Sequence, residues 1–323
     1  MYVLGIETSC DETSAAIVKD GKTVLSNIIS SSLEFHKKYG GVIPEIAFRK
    51  QLETIAQVTE SAVKSAKIRI KDIGLVAVTN TPGLLGSLLV GISFAKSVSY
   101  ALKKPLLGVN HLYSHIYASL LNEGKIRLPF VGLIVSGGHT SLYFIENFDK
   151  ITLLGSTQDD ACGEAFDKSA KILGLGYPGG PVIEKRSLNG DPDSIKFKCS
   201  ETAEPLDFSF SGIKTAVLYY RQKNPKVRIN NICASFQKSV IDVLVQKSLL
   251  ACKLNKTNRL VIGGGVAANN KFRESITCAA RKSGIKVYFP AKLLCMDNAA
   301  MVAGLGYQLH KKGDKSNLYL TAN

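Results

Sequence analysis

The chain opens twice in the same way, and that repetition constrains its fold more than any other feature. Residues 2–6 read as a buried strand, Glu7-Thr8-Ser9-Cys10-Asp11-Glu12 as a polar loop, and 13–18 as a returning strand. Further on, 130–135 read as a strand, Ser136-Gly137-Gly138-His139 as a tight loop, and 140–146 as the return. Gly5-Ile6-Glu7-Thr8-Ser9 answers to Gly132-Leu133-Ile134-Val135-Ser136, and the exit Thr13-Ser14 to Thr140-Ser141. A weak internal repeat of this kind predicts two related halves, with one loop from each facing the other across a cleft. The length agrees, since 323 residues suit two domains of about 150 each. Strands are expected over 23–29, 75–79, 106–109, 259–262 and 285–289. Helices are expected after Pro44, from about 88 to 102, over 111–115, 160–170, 211–222 and 229–254, after the 263–270 loop, and from Asp297 to about 311. Asp20-Gly21 marks a hairpin turn, and residues 190–210 read as irregular. Strands alternating with helices make this an α/β chain.

Charge and cysteine content bound the partners and the compartment. Lysine and arginine exceed acids by 41 to 26, and basic residues cluster at Lys64, Lys67, Arg69 and Lys71, at Arg221, Lys223, Lys226 and Arg228, and at Arg281, Lys282 and Lys286. A surplus of +15 points to a polyanion, nucleic acid first, or else to a generally lysine-rich proteome. No zinc-finger or RNP motif is present, so nucleic-acid binding would rest on surface charge and shape. Seven cysteines, an odd number with no C-x-x-C pair, read as reduced thiols rather than a disulfide framework. No apolar run reaches the roughly 20 residues of a membrane span, and 2–6 already read as strand rather than leader. The expected location is cytoplasmic, with no membrane partner.

Three groups of residues could carry chemistry. His111 and His115 stand at i and i+4, which places both imidazoles on one helix face, where they could hold one metal ion. The residue after His111 is Leu112, so the general-base glutamate of an H-E-x-x-H peptidase is missing. Two histidines and a remote carboxylate would form a facial triad suited to iron(II) or another divalent metal. Ser136-Gly137-Gly138 and Gly263-Gly264-Gly265 lie at strand ends, where free backbone N–H groups can cradle phosphate. Neither matches a Walker or Rossmann pattern, and each could be only a tight turn. Asp11, Asp167 and Asp297 adjoin loops or helix starts. Asp297 reads either as a helix N-cap or as a metal ligand, Asp167 as a surface partner of Lys168 or as a ribose acceptor, and Asp11 as a turn residue or phosphate-loop contact. Ser9 and His139 are further candidates for phosphate-loop contacts.

Eight ordered motifs carry a resemblance. They are Ile6-Glu7-Thr8-Ser9-Cys10-Asp11-Glu12-Thr13, Asn110-His111-Leu112-Tyr113-Ser114-His115, Val135-Ser136-Gly137-Gly138-His139-Thr140 and Gly163-Glu164-Ala165-Phe166-Asp167-Lys168. Then come Tyr177-Pro178-Gly179-Gly180, Phe210-Ser211-Gly212-Ile213-Lys214-Thr215, Gly264-Gly265-Val266-Ala267-Ala268-Asn269 and Asp297-Asn298-Ala299-Ala300-Met301. Together they closely resemble the TsaD/Gcp/YgjD family, the bacterial tRNA N6-adenosine threonylcarbamoyltransferases, from residue 1 to about 310. Departures are small: Glu12 stands where many members carry a second aspartate, and Met296 where a threonine is common.

The resemblance implies an α/β fold of the actin/Hsp70/sugar-kinase (ASKHA) superfamily, with two RNase H-like halves and a ligand cleft. The first half would span 1–128 and be completed by 297–323, and the second would span 129–296. It implies transfer of a threonylcarbamoyl group from threonylcarbamoyl-AMP to N6 of the adenosine 3′ of the anticodon, in tRNAs reading ANN codons. It implies iron(II), or another divalent metal, on His111, His115 and Asp297. The adenylate contacts would fall at Ile134, Val135, Ser136, Gly137, Gly138, Asp167, Gly180, Glu184 and Asn269. A TsaB-like paralogue and a TsaE-like ATPase would be partners beside tRNA. The reaction would start from an activated mixed anhydride, so the protein would mainly supply positioning, worth up to ~7–11 kcal/mol, and stabilisation of oxyanion charge. No general base is named by the residues. An ASKHA-type ATPase or kinase, a metallopeptidase and a non-catalytic scaffold stand as alternatives.

Overall fold

The computed structural model describes residues 1–121 and 126–323. In chain order the elements are β1 (Tyr2–Glu7), β2 (Glu12–Lys19), β3 (Thr23–Ser31), α1 (Leu33–Lys37), α2 (Pro44–Ser65), β4 (Ile73–Thr81), α3 (Leu85–Leu102), β5 (Leu106–Asn110) and α4 (His111–Tyr117). They continue with β6 (Phe130–Val135), β7 (Thr140–Asn147), β8 (Lys150–Ser156), α5 (Cys162–Ile172), α6 (Gly179–Ser187), α7 (Ser211–Lys223), α8 (Ile229–Leu254), β9 (Arg259–Gly263), α9 (Asn270–Lys282), β10 (Lys286–Tyr288) and α10 (Ala299–Lys311). The chain divides into two compact units, Met1–Ile126 with Leu293–Asn323, and Arg127–Lys292.

The first unit is built on a five-stranded sheet of order β3-β2-β1-β4-β5. β1 pairs antiparallel with β2 and parallel with β4, and β5 continues the parallel side. The central strands are apolar almost throughout because both faces are covered. Leu4 and Ile6 join Ile17, Val76 and Val78 in a core closed by Ile55, Val58 and Ala62 of α2 and by Leu88, Val90 and Ala95 of α3. Side chains alternate along a strand, so Gly5 points to the other face. There α10 lies so close that a Cβ on Gly5 would fall 2.2 Å from the Ala299 carbonyl oxygen. The hairpin turn forms at Asp20-Gly21, both residues with positive φ. By length and composition α3 would pass for a membrane-crossing helix, the one such helix among the described residues, but its Leu88, Val90, Ile92 and Ala95 face are core.

The second unit repeats the topology. Its sheet runs β10-β9-β6-β7-β8, with β6 antiparallel to β7 and parallel to β9. The repeat holds to the residue: Glu7 pairs with Ser14 in β1–β2, and Ile134 with Ser141 in β6–β7. α1, β8 and α6 are additions to the elements expected from sequence. The Gly-Gly-Pro start of α6 reads as turn by composition. The helix begins there because the Asp167 carboxylate accepts the Gly179 N–H at 2.6 Å, an interaction made across the fold.

Candidate metal centre and glycine loop

In the first unit β5 ends at Asn110, whose side-chain oxygen accepts the Tyr113 N–H and starts α4 at once. His111 and His115 therefore occupy one face of a short, buried helix, with ring centroids 4.6 Å apart. The third group arrives from the segment before α10. Asn298, not Asp297, caps that helix by accepting the Met301 N–H, so the N-cap alternative for Asp297 is corrected. The Asp297 carboxylate lies instead 3.0 Å from His115 Nε2 and 3.7 Å from His111 Nε2.

One donor atom from each of these three residues can be chosen within 4.8 Å of the others. Bonds of about 2.0–2.2 Å to a divalent ion would place such donors roughly 3–4 Å apart. His115 turns Nε2 toward Asp297, while its buried Nδ1, on the far edge of the ring, has no hydrogen-bond partner among the described residues. Two imidazoles and a carboxylate converging at these distances are a donor set that fits a divalent metal.

Behind His111 stands a support the sequence reading did not single out. Glu7, wholly buried at the end of β1, has Oε2 3.1 Å from His111 Nδ1 and accepts the Thr79 hydroxyl at 2.5 Å, while Oε1 accepts the Ser9 N–H at 2.6 Å. Ser9 Oγ also contacts His111 Nδ1, at 3.1 Å. A carboxylate at Nδ1 holds a proton on that nitrogen, so Nε2, on the side of Asp297, is the nitrogen that would lose its proton to bind a metal. Ser9 thus braces a histidine. Burial would lower the His111 pKa, but the Glu7 and Asp297 charges outweigh it and push it up to about 9. Burial, with the charges of Asp11 and Asp297, pushes Glu12 up to about 10, so Glu12 is neutral at pH 7. Gln51 holds the loop by donating to the Cys10 and Glu12 carbonyls.

In the second unit the loop after β6 is a tight turn in which the Ser136 N–H donates to the His139 carbonyl and Ser136 Oγ accepts the His139 N–H. Gly137 and Gly138 are exposed, and a Cβ on either would meet nothing within 4 Å. Neither packing nor positive φ requires glycine there. The open space over two backbone N–H groups is what a phosphate needs. Gly264 differs, since its φ is +96° and a Cβ would lie 2.4 Å from the Val135 carbonyl oxygen, so it is a structural turn. Ile134 and Val135 are completely buried in β6 and offer no surface of their own.

The remaining candidates form one linked set. Lys168 pairs with Asp160 and Glu164 rather than with Asp167. Asp167 holds Gly179, and its pKa rises to about 6 because burial outweighs the bonds from Gly179 and Gly180. A Cβ on Gly180 would meet nothing within 4 Å. Asn269 caps α9 through the Phe272 N–H and donates to Gln237, Gln237 donates to Ser187, and Glu184 accepts from Asn270. Gln237 was not anticipated. Its signal was a lone amide on the buried face of α8, between Phe236 and Val240.

The doubled sheet defines the class. Solved structures with this fold include full-length HypF in its phosphate- and nucleotide-bound form (TM-score 0.62, 16% identity, covering 98% of this chain and 47% of that one). Another is component A of the Acidaminococcus fermentans (R)-2-hydroxyglutaryl-CoA dehydratase (TM-score 0.59, 16% identity, 97% and 100%). At that identity the likeness is one of fold alone, an α/β chain with two five-stranded sheets of matching strand order. The family is shown by sequence. The model of the tRNA N6-adenosine threonylcarbamoyltransferases matches residues 23–304. Proteins of that name are 50% identical in Thermosipho africanus, over 100% of this chain and 98% of the relative, and 49% identical in Clostridium kluyveri, over 100% and 96%. The chain belongs to the tRNA N6-adenosine threonylcarbamoyltransferase family and is a transferase.

Proposed function

We propose that this chain transfers threonylcarbamoyl from threonylcarbamoyl-AMP to N6 of the adenosine 3′ of the anticodon in tRNAs reading ANN codons, with His111, His115 and Asp297 holding iron(II). The observation that carries the reading is the convergence of those three side chains, with Glu7 locking the far nitrogen of His111. In the reaction N6 attacks the carbamoyl carbon, the bond from that carbon to the phosphate oxygen breaks, AMP leaves with the electron pair, and N6 gives up a proton. The bound ion would supply Lewis-acid polarisation of the carbamoyl carbonyl. Ser136, Gly137 and Gly138 offer their turn to the AMP phosphate. Asp167, Gly180, Glu184 and Asn269, tied together through Gly179, Asn270 and Gln237, hold the nucleoside. A TsaB-like paralogue and a TsaE-like ATPase are the proposed partners, and the proposed location is the cytoplasm.

The test incubates the protein with unmodified tRNA, threonylcarbamoyl-AMP and iron(II), with and without the two partners, and measures the modified nucleoside by mass spectrometry. Product that forms with the wild type and is lost with His111→Ala supports the reading. Absence of product with partners present, or an indifferent His111→Ala, overturns it, and hydrolysis of added ATP by the chain alone, with no partner present and no product formed, would favour the kinase-like alternative.

A further inference from the structure

Between Asp207 and Asp242 the chain carries no acidic residue, while Lys214, Arg221, Lys223, Lys226, Arg228 and Lys238 fall within that span. Two of these cations are absorbed locally. Lys214 binds Asp160 at 2.6 Å, and Lys238 binds Asp242 at 3.0 Å. Arg221 turns back to cap the following loop, donating to the Pro225 and Val227 carbonyls. Lys223, Lys226 and Arg228 are exposed and form no ion pair among the described residues.

Two of them also stand where stability disfavours them. Arg228 is the N-cap of the 26-residue helix α8, Lys226 lies just before it, and no acid occupies the first turn. The positive end of a helix dipole repels cations at that place. By contrast, Arg281 and Lys282 end α9, where the dipole favours them, and Lys286 lies over the Tyr288 ring. In the first unit Arg69 is paired with Asp72 at 2.8 Å. Of the three basic clusters, the one between α7 and α8 is the least explained by folding.

An aromatic completes it. Tyr219 is 60% exposed, one helical turn before Lys223 on the same face of α7. The other end of α7 is fixed near the glycine loop. Asp159 accepts the Phe210 and Ser211 N–H groups at the helix start, and α5, which begins three residues on at Cys162, has its Gly163 N–H bonded to the Ser136 carbonyl. From there the 13 residues of α7 run about 20 Å to the basic loop.

We infer that Tyr219, Lys223, Lys226 and Arg228 form an RNA-docking surface that grips the tRNA backbone at a distance from the glycine loop. The three cations contact phosphates and Tyr219 stacks on an unpaired base or a ribose. This rests on the proposed action on tRNA.

The test measures binding of unmodified tRNA by the full chain, with fluorescence anisotropy at salt from about 50 to 200 mM. The variant Lys223→Glu/Lys226→Glu/Arg228→Glu is expected to weaken binding at least tenfold and to reduce the slope of log K against log salt by about two to three. Tyr219→Ala should weaken binding with the slope unchanged. Lys64→Glu/Lys67→Glu, in the first unit, should change neither. The triple variant should melt no lower than wild type, since it removes cations from a helix start. If it fails to fold, Lys226→Gln/Arg228→Gln replaces it, with a slope reduction of about one to two expected. Wild-type binding that the α7–α8 variants leave intact, or that the Lys64/Lys67 variant weakens equally, overturns the surface and leaves the transfer reaction untouched. A wild type that neither binds nor modifies tRNA overturns the proposed function itself.

Discussion

Glu7 shows how much one buried carboxylate can decide. Its two oxygens are spent on Ser9, Thr79 and His111, and the last contact sets which histidine nitrogen is free. Glu7→Gln keeps the shape and loses the charge, so metal affinity should fall by about 10–100-fold. Competition with a chromophoric chelator reads this directly, and an unchanged affinity would remove Glu7 from the metal centre. Asp167 offers a pH prediction away from the metal. Its folded pKa of about 6 lies above the ordinary 3.8. Its stabilising contribution is therefore complete below about pH 4 and is lost as pH rises through about 6, by up to roughly 3 kcal/mol. Urea unfolding from pH 4 to 7 should show that slope in the wild type and a flatter profile in Asp167→Asn.

At the scale of elements, the loops after β1 and β6 occupy equivalent places and have diverged. The first carries polar side chains that brace a histidine. The second is stripped to two glycines over open space. Gly137→Ala should fold normally, with stability within about 0.5 kcal/mol of wild type, and should raise KM for the adenylate. Gly264→Ala should cost more than about 1 kcal/mol, because its φ is +96° and Val135 stands in the way. Thermal melts and steady-state kinetics separate the two, and equal destabilisation would mean that the Gly137 turn is structural as well.

At the scale of the molecule, all three proposed ligands belong to the first unit, which the chain leaves at Ile126 and rejoins at Leu293. Divalent metal should therefore stabilise that unit in particular, by about 2.7 kcal/mol at a hundred times its Kd. Hydrogen exchange in α4 and α10 should slow when metal is added, while α8 is unaffected. Equal slowing in both units would argue against a site confined to the first. The same excursion sets which helix completes which sheet, with α10 closing over β1 from the far end of the chain.

Local pattern alone determined the doubled hairpin, the α/β class, the i, i+4 histidines and the glycine loop, because each depends on residues within a few positions of one another. The N-cap of α10 was also local, but two adjacent residues competed for it, and only the fold chose Asn298 and released Asp297. Helix α6 was hidden because its first N–H groups are satisfied by Asp167, a partner set by tertiary packing. Glu7 reads in sequence as one polar residue at a strand end, and Gln237 as one amide in a helix. Their work depends on what lies beside them: Thr79 and His111 in one case, Asn269 and Ser187 in the other. Periodicity records which face of an element is buried and carries no record of which distant side chain it meets. Hydrogen-bond partners between elements were therefore settled only when the chain closed on itself.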